Sequence, residues 1–352
     1  MLDFLAVHLP LAGVDINALL MLFLALIVGF LAGLFGVGGG FLMVPLVNII
    51  FRVPMNVAAG TDILQITSTA ASGALTHYKL GHVDWKLATM LLCGSIPGGW
   101  FGVYLINGLK TTGTANLDYV TSVGWMFVVI ATGLMLTVEG YKTLKKKRKD
   151  NKENKNKNVH DDEVSIGIGK RVQNLPIPPR IYLDKSGVMV SAIVPVLAGF
   201  LVGTMAGFFG VGGGIIMMPI LVYVLGIPTV VAIGTDLFQM IFTASNATIA
   251  HAISGNIDYV LALLMIIGAV IGAQIGARSS KIIHGSQIRI VFGIIVLSVG
   301  VTLILKLLKM DELKLIVLGA VILVAIALFM YCLLALLGVI KTKKQKTGGD
   351  EK

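Results

Sequence analysis

GLFGVGGG fills Gly33–Gly40 and GFFGVGGG fills Gly207–Gly214, 174 residues apart. The same offset aligns Gly33–Gly102 with Gly207–Gly276 without a gap. It pairs Pro45 with Pro219, Pro54 with Pro228, and Gly60-Thr61-Asp62 with Gly234-Thr235-Asp236. Gln65/Gln239, Thr69/Thr243, His77/His251, Gly81/Gly255 and Asp84/Asp258 continue the series, and roughly 26 of 70 positions are identical. Composition bias does not hold polar residues in one register over such a length, so the chain is a duplication.

The repeated unit is written in membrane composition. Hydrophobic residues make up 56% of the 352 and charged residues 13%, with a mean hydropathy of +0.90. Apolar runs of about 20 residues recur, the length that crosses a bilayer core. They predict spans at 17–35, 38–51, 56–77, 85–107 and 118–141, then 187–208, 212–226, 230–252, 258–278 and 287–308, with a last one at 315–340. The predicted fold class is an all-α polytopic membrane protein. It has two inverted repeats, each a Gly-turn helical hairpin plus three transmembrane helices, and one extra C-terminal helix. The domains are repeat 1 (1–141), a basic linker (142–185), repeat 2 (186–308), the extra helix (309–340) and a basic tail (341–352).

Charge sets the orientation. Residues 142–185 carry 13 Lys/Arg against 6 Asp/Glu and residues 341–352 carry 5 against 2, which accounts for the whole net charge of +10. Such segments beside apolar spans mark the cytoplasmic side, and the basic pI belongs to tethers that touch anionic lipid, not to a nucleic-acid surface. With both placed inside, the N-terminus lies outside, the C-terminus is cytoplasmic, and equivalent loops fall on opposite faces. This is the inverted arrangement of many secondary transporters. Each glycine cluster then becomes the turn of a hairpin that enters and returns on one side. The short second arms, broken by Pro45 and Pro219, point to partial crossings. No basic residue precedes the first apolar run, so no secretory signal is expected. Leu175-Pro176-Ile177-Pro178-Pro179-Arg180-Ile181 reads as an extended piece returning the chain to the membrane.

Two groups of residues can carry chemistry. Gly36 and Gly38–Gly40 (Gly38, Gly39, Gly40), with Gly210 and Gly212–Gly214 (Gly212, Gly213, Gly214), offer free backbone N–H groups at the start of a helix, which attract anions. The alternative is close helix packing and tight turns. The second group is a polar stripe. Asp62, Gln65, Thr69 and Ser72 share a helix face, Asp236, Gln239, Thr243 and Asn246 repeat it, and Thr61 and Thr235 adjoin it. Carboxylates inside a membrane are costly and default to function. Asp62 and Asp236 are expected to bind a proton or sodium ion, with complementing a helix dipole as the alternative. His77 and His251 close the same helices, placed at a water interface with a lesser role in proton handling. Asp84 and Asp258 read as N-caps. Cys93 and Cys332 lack any metal or disulfide spacing and read as buried small hydrophobes. No catalytic set, metal site, cofactor fingerprint or nucleic-acid surface is predicted.

With GxFGVGGG, the proline and GTDxxQ all duplicated, the chain resembles the sulfite exporter TauE/SafE family of bacterial and archaeal permeases over nearly all of its membrane part. The resemblance implies a plasma-membrane carrier of a prokaryote for small sulfur-containing anions: sulfite, sulfonates, sulfoacetate-like acids or thiosulfate. Export is the commoner family assignment. The family pattern falls on Gly36, Gly38–Gly40, Pro45, Gly60 and Thr61 and their partners 174 residues on. Many relatives have serine where Asp62 and Asp236 stand. The expected partners are a small anion, a coupling proton or sodium ion and the bilayer, with a homodimer left open. Competing readings are an anion or small-solute channel and a membrane scaffold that docks a partner through 142–185.

Overall fold

The computed structural model describes residues 6–35, 40–79, 81–111, 113–152, 172–173, 177–279 and 286–336. In the first half, strands β1 (Ala6–Leu9) and β2 (Val14–Asn17) precede helices α1 (Ala18–Phe35), α2 (Gly40–Phe51), α3 (Met55–Lys79), α4 (Trp85–Lys110) and α5 (Thr114–Lys152). In the second, β3 (Arg180–Leu183) and β4 (Val188–Ser191) precede α6 (Ile193–Phe209), α7 (Gly214–Pro219), α8 (Thr229–Ile253), α9 (Tyr259–Ser279) and α10 (Ser286–Leu307). The last helix, α11, is Asp311–Leu336. The protein is thus all-α in its membrane body. Among the described residues, five helices are long and apolar enough to cross a membrane: α4, α9, α10 and α11, and the 116–142 part of α5. Large apolar side chains stand exposed on their outer faces, among them Phe101, Leu263, Ile267 and Leu323, as the outside of a membrane protein requires.

α3 and α8 have 25 residues each but are not among the five, because their polar stripes lower their hydropathy. Their placement explains how they tolerate it. They pack against one another at the centre through Ile63, Ile66, Ala70, Met240, Ala244 and Ala247.

The 174-residue offset recurs in the contacts. α4 lies along α6, and α1 along α9, at backbone contact. Gly94, Gly98 and Gly102 face the backbones of Val196, Phe200 and Thr204, while Gly268, Gly272 and Gly276 face those of Leu22, Leu26 and Phe30. Both partners advance together by four residues, so each pair is parallel. Small residues at this spacing are the usual means of bringing membrane helices together.

Equivalent loops hold one another in the same exchanged way. Asp84 caps α4 by accepting from Leu87 N at 3.2 Å, and Asp258 accepts from Leu261 N at 3.1 Å, which is the N-cap role read from the sequence. The backbone N–H of Asp84 donates to Thr235 Oγ1 at 3.0 Å, and that of Asp258 donates to Thr61 Oγ1 at 3.0 Å. The second oxygen of Asp84 accepts from Lys185 N and Ser186 N, and that of Asp258 accepts from Leu11 N. Asn56, at the start of α3, donates to Asn256, just past the end of α8, so α3 and α8 run antiparallel.

The two strand pairs were not anticipated. Residues 188–191 lie inside the predicted span 187–208 but form β4, and the helix begins at Ile193. Apolar content alone had placed them in the membrane. The signal was present as Leu9/Leu183, Gly13/Gly187 and Val14/Val188, which keep the 174 offset; both glycines take positive φ at the hairpin turn. Helix α5 runs on to Lys152, eleven residues into the predicted linker.

The glycine seams predict a sharp contrast. A Cβ at Gly98 would meet the backbone of Phe200 and Thr204, whereas one at Gly108 meets nothing within 4 Å. Gly98→Val should lower the thermal midpoint in detergent, by about 1–3 kcal/mol or more of stability. Gly108→Ala should leave it unchanged or raise it by up to ~1 kcal/mol through helix propensity. Equal midpoints for the two would refute the seam.

Candidate functional site

The site is built on the antiparallel pair α3 and α8. Thr61, Asp62 and Gln65 are buried on α3, and Thr235, Asp236, Gln239 and Thr243 are buried on α8. On α8 the stripe is a continuous chain. Ser95 of α4 and Thr243 share a hydrogen bond of 2.7 Å; Thr243 Oγ1 donates to Gln239 Oε1 at 2.7 Å; Gln239 Nε2 donates to Asp236 Oδ1 at 3.0 Å. On α3 the amide faces the other way. Gln65 Nε2 donates to Thr69 Oγ1 at 3.4 Å, and Thr69 donates to the Ile66 carbonyl at 3.0 Å. Gln65 Oε1 and both oxygens of Asp62 are buried without a hydrogen-bond partner.

The other expected site residues fall into three places. The Thr61 and Thr235 hydroxyls bind the loops of the opposite half, so they position the site as well as bordering it. Asn246 turns to α4, donating to the Ile96 carbonyl at 3.0 Å and accepting from Trp100 Nε1 at 2.9 Å, apart from the Asp236–Gln239–Thr243 chain. Ser72 lies on α3 one turn past Thr69. His251 does not stand at a water interface. It is buried, with Nε2 at 2.7 Å from the Gly207 carbonyl and Nδ1 at 3.4 Å from Asn256 Nδ2. The partners supplied by α6 and the following loop let the ring leave water. His77 is half-buried, 3.4 Å from His82.

The glycine turn of the second half is buried throughout, from Gly210 to Gly214. Gly210 ends α6 in the left-handed region, and Gly213 at φ +88° opens α7. Gly210 packs on the backbone of Ala59, and Gly212 on the side chain of Ile66, so the turn sits directly on α3. After Pro219, which lacks an N–H, the arm continues as a π-helical turn, Ile220–Val224. Gly40 opens α2 in the first half; Gly36, Gly38 and Gly39 lie outside the described residues.

Two polar features escaped the sequence reading. Ser95 is a lone hydroxyl in an apolar run, and only the fold brings it to Thr243. Lys306 reaches Asp118 at 2.6 Å, Asn48 at 2.7 Å and Ser122 at 2.9 Å. These bonds occupy all three ammonium donors and tie α2, α5 and α10 together. The signal was Asn48 within the short hairpin arm and Lys306 in the last turn of a span.

The family model for the sulfite exporter TauE/SafE matches residues 21–303. The chain belongs to the TauE/SafE family. This TauE/SafE chain is 28% identical over 292 residues to the probable membrane transporter protein YunE of Bacillus subtilis, covering 81% of this chain and 96% of that one. It is 24% identical over 285 residues to YjnA of the same organism, also named a probable membrane transporter, covering 81% and 98%. A probable membrane transporter of Methanocaldococcus jannaschii is 24% identical over 309 residues, covering 83% and 98%. No solved structure matches. With its apolar helices, this TauE/SafE member is a multi-pass membrane protein and a membrane transporter.

The buried turn gives a stability prediction. Gly81 and Gly213 both have positive φ, but a Cβ at Gly81 meets nothing within 4 Å and one at Gly213 meets Val202 at 2.5 Å. Gly81→Ala should cost about 1–2 kcal/mol from backbone handedness alone. Gly213→Ala should cost measurably more in thermal unfolding; an equal loss would mean the turn is not packed as described.

Proposed function

We propose that the protein is a proton-coupled secondary transporter of small sulfur-containing anions such as sulfite, sulfonates or sulfoacetate, working as an exporter by alternating access in a prokaryotic plasma membrane. The observation that carries this reading is the buried polar stripe on both central, antiparallel helices of an otherwise apolar bundle. Antiparallel equivalents around a central site are the arrangement by which one fold opens to either face. The family description, sulfite exporter, supports the substrate class.

A carboxylate repels an anion unless protonated, so Asp62 and Asp236 suit the coupling ion and the glycine turns suit the substrate. Buried glycine backbone at a helix start binds negative charge without a buried lysine. Gln65, Thr69, Gln239 and Thr243 supply neutral donors beside it. Charge supports the orientation. The hairpin 180–191 and loop 78–84 share one end and carry Lys79, Arg180 and Lys185, whereas the hairpin 6–17 and loop 254–258 at the other end carry no Lys or Arg.

Purified protein in liposomes tests the reading with radiolabelled or fluorimetrically followed sulfite, sulfoacetate, thiosulfate and sulfate, with and without a pH gradient. Sulfite or a sulfonate should move, faster with the gradient. Asp62→Asn should keep counterflow exchange but lose gradient-driven accumulation. Folded protein that moves none of the four anions would sink the proposal, and flux indifferent to the gradient would remove the coupling.

A further inference from the structure

The two stripes have the same residues at the same spacing, Asp-Gln-Thr at i, i+3 and i+7, yet opposite hydrogen-bond order. In the second half the amide presents its N–H to Asp236 and its oxygen to Thr243. An ionised carboxylate only accepts hydrogen bonds, so this order suits a charged Asp236. In the first half the amide nitrogen is turned to Thr69, and three buried oxygens, two of Asp62 and one of Gln65, have no donor. Buried acceptors left so are costly. A single hydrogen on Asp62 supplies the donor, and Gln65 Oε1, one helical turn on along the same face, is the acceptor it lacks.

The difference has a cause in the sequence. Ser95 is buried and bonds Thr243, which frees the Thr243 hydrogen for Gln239. The position equivalent to Ser95 is Ala269, which has no hydroxyl. Thr69 therefore turns its hydrogen to its own helix, to the Ile66 carbonyl, and can only accept from Gln65. The amide is thereby held with its oxygen free.

We propose that Asp62, and not Asp236, is the carboxyl that carries the exchangeable proton, with Gln65 Oε1 receiving its O–H, and that Ser95 against Ala269 sets this asymmetry between the halves. This rests on the coupling part of the transport reading and deepens it: one proton per cycle, taken up and released at the Asp62 oxygens in exchange with water on the open face. Among the described residues, no titratable side chain on a neighbouring element bonds to Asp62. On α8, Asp236 is held by Gln239, and His251 by Gly207 and Asn256. On α9, Tyr259 and Arg278 lie at opposite ends. On α5, Asp118 is bound to Lys306, and Tyr119 and Tyr141 are exposed. Helices α2 and α6 carry none.

Infrared spectroscopy of the full chain in lipid at pH 7 tests this without flux, since exposed carboxyls, with values near ~4, are ionised there. The wild type should show the C=O stretch of one protonated carboxylic acid. Asp62→Asn should lose it and Asp236→Asn should keep it. Ser95→Ala should raise the band about twofold, one acid becoming two as Asp236 loses its donor chain. Ala269→Ser should weaken it. Absence of the band in the wild type, its survival in D62N, its loss in D236N or an unchanged band in S95A would each overturn the proposal. S95A and A269S decide the matter if D62N does not fold. Because no transport is measured, liposomes that carry no anion would refute the functional reading while leaving this result standing.

Discussion

Everything in this protein depends on two pairs of helices meeting at their backbones. α4 against α6, and α1 against α9, approach so closely that a single added Cβ every fourth residue would collide with a carbonyl. Within lipid there is no hydrophobic drive between apolar helices, and close approach of small residues takes its place. These seams enclose α3 and α8, and enclosure is what allows each to carry Asp, Gln and Thr through the middle of the protein. Without it, those groups would face hydrocarbon, at a cost of several kcal/mol for a charged side chain.

The loops close the same frame with polar bonds. Asp84 and Asp258 each cap their own helix, receive a hairpin of the opposite half and, through their backbone, hold the threonine of the opposite GTD. Each half thus braces the polar surface of the other. The two surfaces are not equal, because position 95 is serine and position 269 is alanine. Ser95 bonds Thr243, whose hydroxyl donates to Gln239, whereas Thr69 donates to its own helix and accepts from Gln65.

Much of this was legible in the sequence. The duplicated register, the all-α membrane character, the N-caps and the polar stripe followed from residue type and spacing, since periodicity and a fixed offset survive without coordinates. The family followed from a resemblance carried by the duplicated motifs. Of the eleven spans expected, five described helices are long and apolar enough to cross. The small hairpins did not, because Val188-Met189-Val190 is as apolar as the span beside it and hydropathy does not tell strand from helix over four residues. The pairing of Ser95 with Thr243 and of Lys306 with Asp118 and Asn48 was hidden for another reason. Contacts between residues 148 or 258 positions apart are decided by helix packing, which a single sequence does not reveal. His251 was misplaced for the same reason, as its partner Gly207 lies on a different helix.

Among the described residues, the glycine seams join helices of different halves. Any rearrangement that kept them closed would move α1 with α9 and α4 with α6. The bodies of such a rearrangement would be mixed pairs, each borrowing one helix from each copy of the duplicated unit. In this architecture the repeat is a unit of sequence but not a unit of close helix packing.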